Sequence, residues 1–123
     1  MVRTIAVFDD DATILDAMRD ILTDAGYRFV GETTAENALA VVLHERPAVV
    51  ILDFWMADQA AGLAALRLIR EHPATAATPV LICSADRAAL REYAEDWRAL
   101  GCETLAKPFD LDDLLDRVAG LIA

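Results

Sequence analysis

The chain has 123 residues, of which 56% are apolar, and carries a formal net charge of −10 at pH 7. This length suits one domain with a sizeable core. No apolar run approaches the roughly 18 residues of a membrane helix, and the N-terminus lacks a signal-peptide pattern, so we expect a soluble, cytoplasmic protein without a membrane span. The acidic excess opposes a phosphate backbone and argues against direct nucleic-acid binding.

Strand-like and helix-like segments alternate along the chain. Runs of β-branched or apolar residues predict five strands, at residues 4–8, 27–31, 48–54, 79–83 and 102–106. Apolar residues at helical spacing predict five helices, around residues 14–22, 38–42, 63–69, 90–100 and 114–122. The fourth of these is predicted as one continuous helix.

Several helix ends carry sequence signals. Gly26 stands where the first helix needs a C-terminal cap. Thr33 and Glu36 form a predicted capping box before the second helix, which Pro47 closes. Asp110 is expected to cap the fifth helix. No linker or repeat interrupts the five strand-helix units, which indicates a single domain over residues 1–123.

Almost continuously apolar strands are typical of a parallel sheet that helices cover on both faces, with right-handed crossovers. The alternation therefore predicts an α/β, doubly wound (βα)5 fold, a three-layer sandwich around a five-stranded parallel sheet. In such a sheet the C-terminal ends of the strands share one edge, and ligands bind there where the strand order reverses.

Polar and charged side chains follow the predicted strands at that edge. They are Asp9, Asp10 and Asp11 after the first strand, Asp53 at the end of the third, Ser84 after the fourth and Lys107 after the fifth. Lys107 is the only lysine beside ten arginines. We expect these side chains to form one constellation.

This set of residue types suits phosphoryl transfer. Two carboxylates about 4 Å apart repel by roughly 4 kcal/mol at an effective dielectric constant near 20, so the acidic group requires a cation. Carboxylates around one point are typical ligands of Mg2+. Asp53 is then a candidate nucleophile toward phosphorus, while Ser84 and Lys107 can contact phosphoryl oxygens.

Simpler interpretations fit some neighbouring residues better. Asp11 is predicted to be a helix N-cap rather than a metal ligand. Cys83 and Cys102 have no metal-ligand neighbours at the usual spacings, so both are predicted to be buried thiols.

Four segments together resemble the receiver domain of bacterial two-component response regulators, the CheY-like superfamily. They are FDDD (8–11), VVILDFWM (49–56), PVLICSA (79–85) and LAKPF (105–109), and the likeness runs from about Arg3 to Ala123. It implies a flavodoxin-like sheet with strand order 2-1-3-4-5. It also implies a phosphoacceptor regulatory domain that catalyses only its own phosphorylation and dephosphorylation.

The resemblance assigns roles to individual residues. Asp53 would be phosphorylated by a sensor histidine kinase or a phosphotransfer protein, with Ser84 and Lys107 assisting. Mg2+ would be held by Asp9, Asp10, Asp53 and the carbonyl of Trp55, with Asp10 a direct ligand and Asp9 acting mainly through water. The Lys107–Pro108 bond would be cis.

The resemblance also implies a switch, and we expect two residues near Asp53 and Ser84 to tune hydrolysis because of their positions. Ser84 and Thr104 occupy the switch positions, although the family commonly has an aromatic residue where Thr104 stands. Trp55 would shield the phosphoryl group from water, whereas Asp86 would orient a water. A Pro of the family is replaced by Ala57 and a Gly is displaced to residue 62, so we expect an altered loop over residues 57–62.

Partners follow from the same likeness. A dimer would form through the fourth helix, the fifth strand and the fifth helix. The output is left open, since the domain would either dock to a separate downstream protein or belong to a longer regulator or hybrid kinase.

Two alternative functions remain at this point. FDDDAT also fits the opening motif of haloacid dehalogenase-like phosphatases, in which Asp9 would be the nucleophile and Asp11 the acid/base. That interpretation gives Asp53 no role and lacks a later acidic motif. The altered loop leaves room for a pseudo-receiver, which would bind partners without being phosphorylated.

Overall fold

A computed structural model describes residues 2–54 and 59–122, with the backbone alone described for residues 59–61. The strands are β1 (Thr4–Phe8), β2 (Arg28–Glu32), β3 (Val49–Asp53), β4 (Val80–Ser84) and β5 (Glu103–Ala106). The helices are α1 (Ala12–Asp24), α2 (Ala38–Glu45), α3 (Gln59–Glu71), α4 (Arg87–Glu92), α5 (Ala94–Ala99) and α6 (Leu111–Ile122).

The five strands form one parallel sheet in the order β2-β1-β3-β4-β5. This confirms the predicted fold class and strand order. In the central strands β3 and β4 every residue is buried, in keeping with their nearly continuous apolar sequences.

Alternate residues of the strands supply two separate cores, one on each face of the sheet. On one face β1, β3 and β4 pack against α1 and α6 through residues that include Val7, Ile51 and Leu114. On the other face the same strands pack against α2, α3, α4 and α5 through residues that include Leu52 and Trp97. The period of two in a strand produces this division and hence the three layers.

The predicted fourth helix is wrong in its continuity. The structure ends α4 at Glu92 and begins α5 at Ala94, with Tyr93 between them at φ −100° and ψ 15°. The Tyr93 ring packs on Phe54, with 5.2 Å between ring centroids, and Phe54 meets Trp97 edge to face at 4.9 Å. Long-range aromatic packing accompanies the break that helical spacing alone did not indicate.

The helix-end predictions had mixed outcomes. Gly26 has a positive φ of 96° just beyond α1, which confirms its place as a terminating residue. The capping box is wrong, because α2 begins at residue 38 and its N-cap residue Asn37 makes no side-chain capping bond. Instead the amide of Glu36 donates to the hydroxyl oxygen of Thr34 at 3.4 Å, in the turn before the helix.

No described helix combines the length and apolar character that crossing a membrane would require.

Candidate functional site

The ends of neighbouring strands meet at one edge of the sheet, as the topology predicts. Sheet-like hydrogen bonds continue past the strands: the Asp9 amide donates to the last carbonyl of β2 at 3.0 Å, and the Lys107 amide donates to the Ser84 carbonyl at 2.8 Å. Asp53 ends β3 and pairs in register with Cys83 of β4. The backbone hydrogen bonds and the strand register therefore determine the positions of the Cα atoms of these residues.

Lys107 joins two of the predicted acidic residues. Its ammonium Nζ lies 2.6 Å from Asp9 Oδ2 and 3.5 Å from Asp53 Oδ2, and the side chains of Lys107, Asp9 and Asp53 are 13%, 3% and 10% exposed. Burial by itself lowers the pKa of Lys107, but the hydrogen bond that Lys107 donates to Asp9 and the charge of Asp53 outweigh burial and raise that pKa above its usual value. The ammonium therefore stays charged between the two carboxylates.

Three carboxylates form a cluster that suits a hard divalent cation. Asp9, Asp10 and Asp53 each offer one oxygen, and these oxygens lie within 4.8 Å of one another. Asp9 and Asp53 are buried, whereas Asp10 is exposed. One ammonium does not balance three carboxylates, so the cluster retains negative charge and an oxygen donor set that fits Mg2+.

The two oxygens of Asp9 are already engaged. Oδ1 accepts a hydrogen bond from the Asp11 amide at 3.0 Å, and Oδ2 accepts one from Lys107. Asp10 is the exposed member of the cluster. The two bonds to Asp9 and the exposure of Asp10 favour Asp10 over Asp9 as a direct metal ligand.

An open cleft of about 680 Å3 lies beside Asp53, and its lining includes Asp53, Lys107, Ala85, Asp86 and Arg87. The strand-end pattern did not single out Ala85 or Arg87. Their position directly after Ser84, at the end of a central strand, is the signal that could have identified them.

Ser84 is less accessible than its predicted role suggests. Its side chain is fully buried, and its hydroxyl oxygen accepts a hydrogen bond from the Asp86 amide at 3.0 Å. The hydroxyl proton is not used in this bond, so it can still be donated. The structure brings Ser84 to the site edge but beneath the surface of the cleft.

Two aspartates near the site cap helices. Asp11 Oδ1 accepts hydrogen bonds from the Thr13 and Ile14 amides at 2.9 and 3.4 Å, which confirms its prediction as the N-cap of α1. Asp86 caps α4 in the same way, through a bond from the Ala89 amide at 2.9 Å. Asp86 thus has a structural role as well as a place in the cleft wall.

The remaining predictions concern Thr104, the Lys107–Pro108 peptide bond, and the residues that follow β3. Thr104 lies in β5 opposite Ile82, half-buried, and its carbonyl accepts a hydrogen bond from Arg117. The Lys107–Pro108 bond is cis. Trp55 lies outside the described residues, and so does Ala57 in the loop that we expect to be altered.

The cysteines differ from each other. Cys83 is buried, and burial raises the pKa of its thiol to about 12, so it remains protonated at neutral pH. Cys102 is only partly buried, so its prediction as a buried thiol is correct in part. Burial also raises the pKa of Cys102. Neither cysteine is among the described residues that line the cleft.

The sequence is similar to known receiver domains. A family profile described as the response regulator receiver domain matches residues 5–119. The phosphate regulon transcriptional regulatory protein PhoB of Pseudomonas aeruginosa is 26% identical over 125 residues, covering 98% of this chain and 52% of PhoB. The nitrogen assimilation regulatory protein NtrX of Azorhizobium caulinodans is 32% identical over 123 residues, covering 94% of this chain and 25% of NtrX.

The chain thus spans about half the length of PhoB and a quarter of NtrX. Its fold is similar to that of a CheY-like response regulator receiver domain protein from Methanospirillum hungatei, with a TM-score of 0.88 at 22% identity. That similarity covers 99% of this chain and 94% of the other.

Proposed function

The chain belongs to the response regulator receiver domain family of two-component systems, and we propose that Asp53 is its phosphoacceptor. The observation that carries the proposal is the contact of Lys107 with both Asp9 and Asp53 beside a cleft that opens to solvent. A buried carboxylate held next to a permanent cation, at the edge of a parallel sheet, is placed to receive an anionic group.

The proposed donor is a phosphohistidine of a sensor histidine kinase or a phosphotransfer protein. A carboxylate oxygen of Asp53 attacks phosphorus in line with the P–N bond. The P–O bond to Asp53 forms as the P–N bond breaks, and the leaving histidine nitrogen keeps the electron pair. The product is an acyl phosphate on Asp53. Lys107 offsets the added negative charge, and the buried Ser84 hydroxyl can donate to a phosphoryl oxygen.

Asp10 and Asp53 would hold Mg2+ directly, with Asp9 acting mainly through water, since both of its oxygens already accept hydrogen bonds. The resemblance adds the carbonyl of Trp55. When bound, Mg2+ supplies positive charge that neutralises the phosphoryl group during transfer. The cluster of oxygens within 4.8 Å supports this assignment.

The output of the switch is proposed from the family. Ser84 and Thr104 would change position on phosphorylation and alter the surface formed by α4, α5, β5 and α6. Through this surface the domain would dimerise or contact a downstream partner or a fused output domain.

Asp86 would orient a hydrolytic water at the cleft, and Trp55 would shield the phosphoryl group. We place the protein in the cytoplasm, where response regulators generally work.

The phosphatase alternative has less support. In that mechanism Asp9 is the nucleophile and Asp11 the acid/base, but the oxygens of Asp9 accept bonds from Lys107 and Asp11. The side chain of Asp11 caps α1. These interactions oppose both roles.

Intact-mass measurement tests the assignment directly. Incubation with acetyl phosphate and Mg2+ should add one phosphoryl group that is lost in base, and Asp53→Asn should abolish this adduct. Asp9→Asn serves as the control for the alternative. An adduct that survives in Asp53→Asn and disappears in Asp9→Asn would favour the phosphatase, whereas no adduct in the unaltered protein would favour the pseudo-receiver.

A further inference from the structure

Arg87 is an exposed cation in the wall of the phosphoacceptor cleft. It is the first residue of α4, and it lines the cleft together with Asp53 and Lys107. Within the described ranges, the ion pairs of the chain involve Arg19, Arg28, Lys107 and Arg117, and Arg87 takes part in none. Its guanidinium is therefore available to a molecule that enters the cleft.

The residues around the cleft carry an excess of negative charge, which an exposed cation in the cleft wall partly offsets. The ammonium of Lys107 is already shared between two carboxylates, and the acidic cluster and Asp86 add further negative charge. The whole chain carries a charge of −10. An anionic phosphodonor is therefore repelled on approach, and the repulsion is long-range because surface charges interact across about 10 Å at moderate salt.

We propose that Arg87 is a specificity-determining residue that attracts phosphodonors according to their negative charge. This inference rests on the proposed function of Asp53. A guanidinium presents paired N–H donors that match phosphoryl oxygens, and it remains charged at all physiological pH values. In the reaction with acetyl phosphate, the bond from Asp53 to phosphorus forms, the bond from phosphorus to the acetyl oxygen breaks, and acetate leaves with the electron pair. Arg87 takes no part in bond breaking. It increases the rate at which the anionic donor associates with the cleft.

The test compares two small donors of different charge on the complete chain, with saturating Mg2+. Acetyl phosphate is doubly charged at neutral pH, and phosphoramidate is singly charged. We expect Arg87→Ala to lower the second-order rate constant for acetyl phosphate roughly three- to tenfold at low salt. Because Coulomb energy scales with donor charge, the loss with phosphoramidate should be roughly the square root of that factor. Both losses should shrink to less than about twofold near 1 M salt.

Arg91 provides a matched control. It lies four residues further along α4, is also exposed and is not part of the described cleft lining, so Arg91→Ala should lower both rates clearly less than Arg87→Ala does. Arg87→Lys should retain most of the rate because it keeps the charge. Equal losses for the two donors, a loss that salt does not reduce, or an equal loss in Arg91→Ala would each overturn the proposal. Asp53→Asn separates the two hypotheses: an adduct in that variant contradicts the phosphoacceptor assignment, whereas a blank Asp53→Asn with an unaffected Arg87→Ala contradicts only the role of Arg87.

Discussion

Two ion pairs in this domain have the same length and different surroundings. Lys107 lies 2.6 Å from Asp9 at the C-terminal edge of the sheet, and Arg28 lies 2.6 Å from Glu45 near the opposite edge. The first pair is 13% and 3% exposed, while the second is 56% and 19% exposed. Water and salt screen the surface pair. The distance between the charged atoms therefore does not by itself determine how much an ion pair contributes to the free energy of unfolding.

The buried pair is also part of a larger charge balance. Lys107 faces Asp53 as well as Asp9, whereas among the described residues Arg28 and Glu45 form an ion pair only with each other. Removing a partner at the first site leaves uncompensated buried charge, and removing one at the second leaves a solvated residue.

Lys107→Gln should have the largest effect. Without the ammonium, two buried carboxylates face each other, and we expect the free energy of unfolding to fall by about 3 kcal/mol in the presence of a chelator. Urea unfolding of the variant and the unaltered protein measures this fall in the free energy of unfolding. Added Mg2+ should recover part of the loss, because the metal replaces some of the missing positive charge. A loss below about 1 kcal/mol, the range of surface pairs, would contradict the charge balance proposed for the site.

Mg2+ should stabilise the unaltered protein by about 2.7 kcal/mol at a hundredfold excess over its dissociation constant. Asp10→Asn should raise the metal-free melting temperature, because one member of the acidic cluster becomes neutral, and should remove most of the Mg2+ increment. Thermal unfolding with and without Mg2+ tests both parts. If the two proteins respond to Mg2+ alike, the cluster is not the metal site.

Asp11→Ala should cost about 1 kcal/mol, the usual contribution of a helix N-cap. Asp11 is exposed and bonds to the first turn of α1, so it differs from its neighbour Asp9, which pairs with Lys107. The Mg2+ increment should be unchanged in this variant. An altered metal affinity, measured by calorimetry, would show that Asp11 belongs to the metal site instead.

Arg28→Gln should have the smallest effect, below about 1 kcal/mol, and the effect should decline as salt is added. It is the surface counterpart of Lys107→Gln, since it removes the cation from a pair of equal length. Parallel urea titrations of the two variants compare the sites directly. Equal losses in the two variants would mean that burial does not distinguish the pairs.

The sequence predicted the fold and the site edge well because both depend on simple patterns. Apolar strands fix the sheet, and parallel strands place their C-terminal residues together, so residues as distant in sequence as Asp9 and Lys107 were expected to meet. The N-cap role of Asp11 was also predictable, because an aspartate directly before a helical pattern is a common N-cap.

The features that the sequence did not predict depend on tertiary packing. The break between α4 and α5 occurs where Tyr93 packs on Phe54, which is 39 residues away in sequence (93 − 54). The full burial of Ser84 depends on its surroundings in three dimensions, as does the place of Arg87 in the cleft wall. Helical periodicity carries no information about such contacts.

Identification of the phosphorylated residue tests whether Asp53 is the phosphoacceptor. After reaction with acetyl phosphate and Mg2+, borohydride reduces an aspartyl phosphate to homoserine, and tandem mass spectrometry of the digested chain locates the converted residue. If Asp53 is the phosphoacceptor, homoserine should be found at position 53 and at no other aspartate. Conversion at Asp9, with Asp53 unmodified, would contradict this assignment.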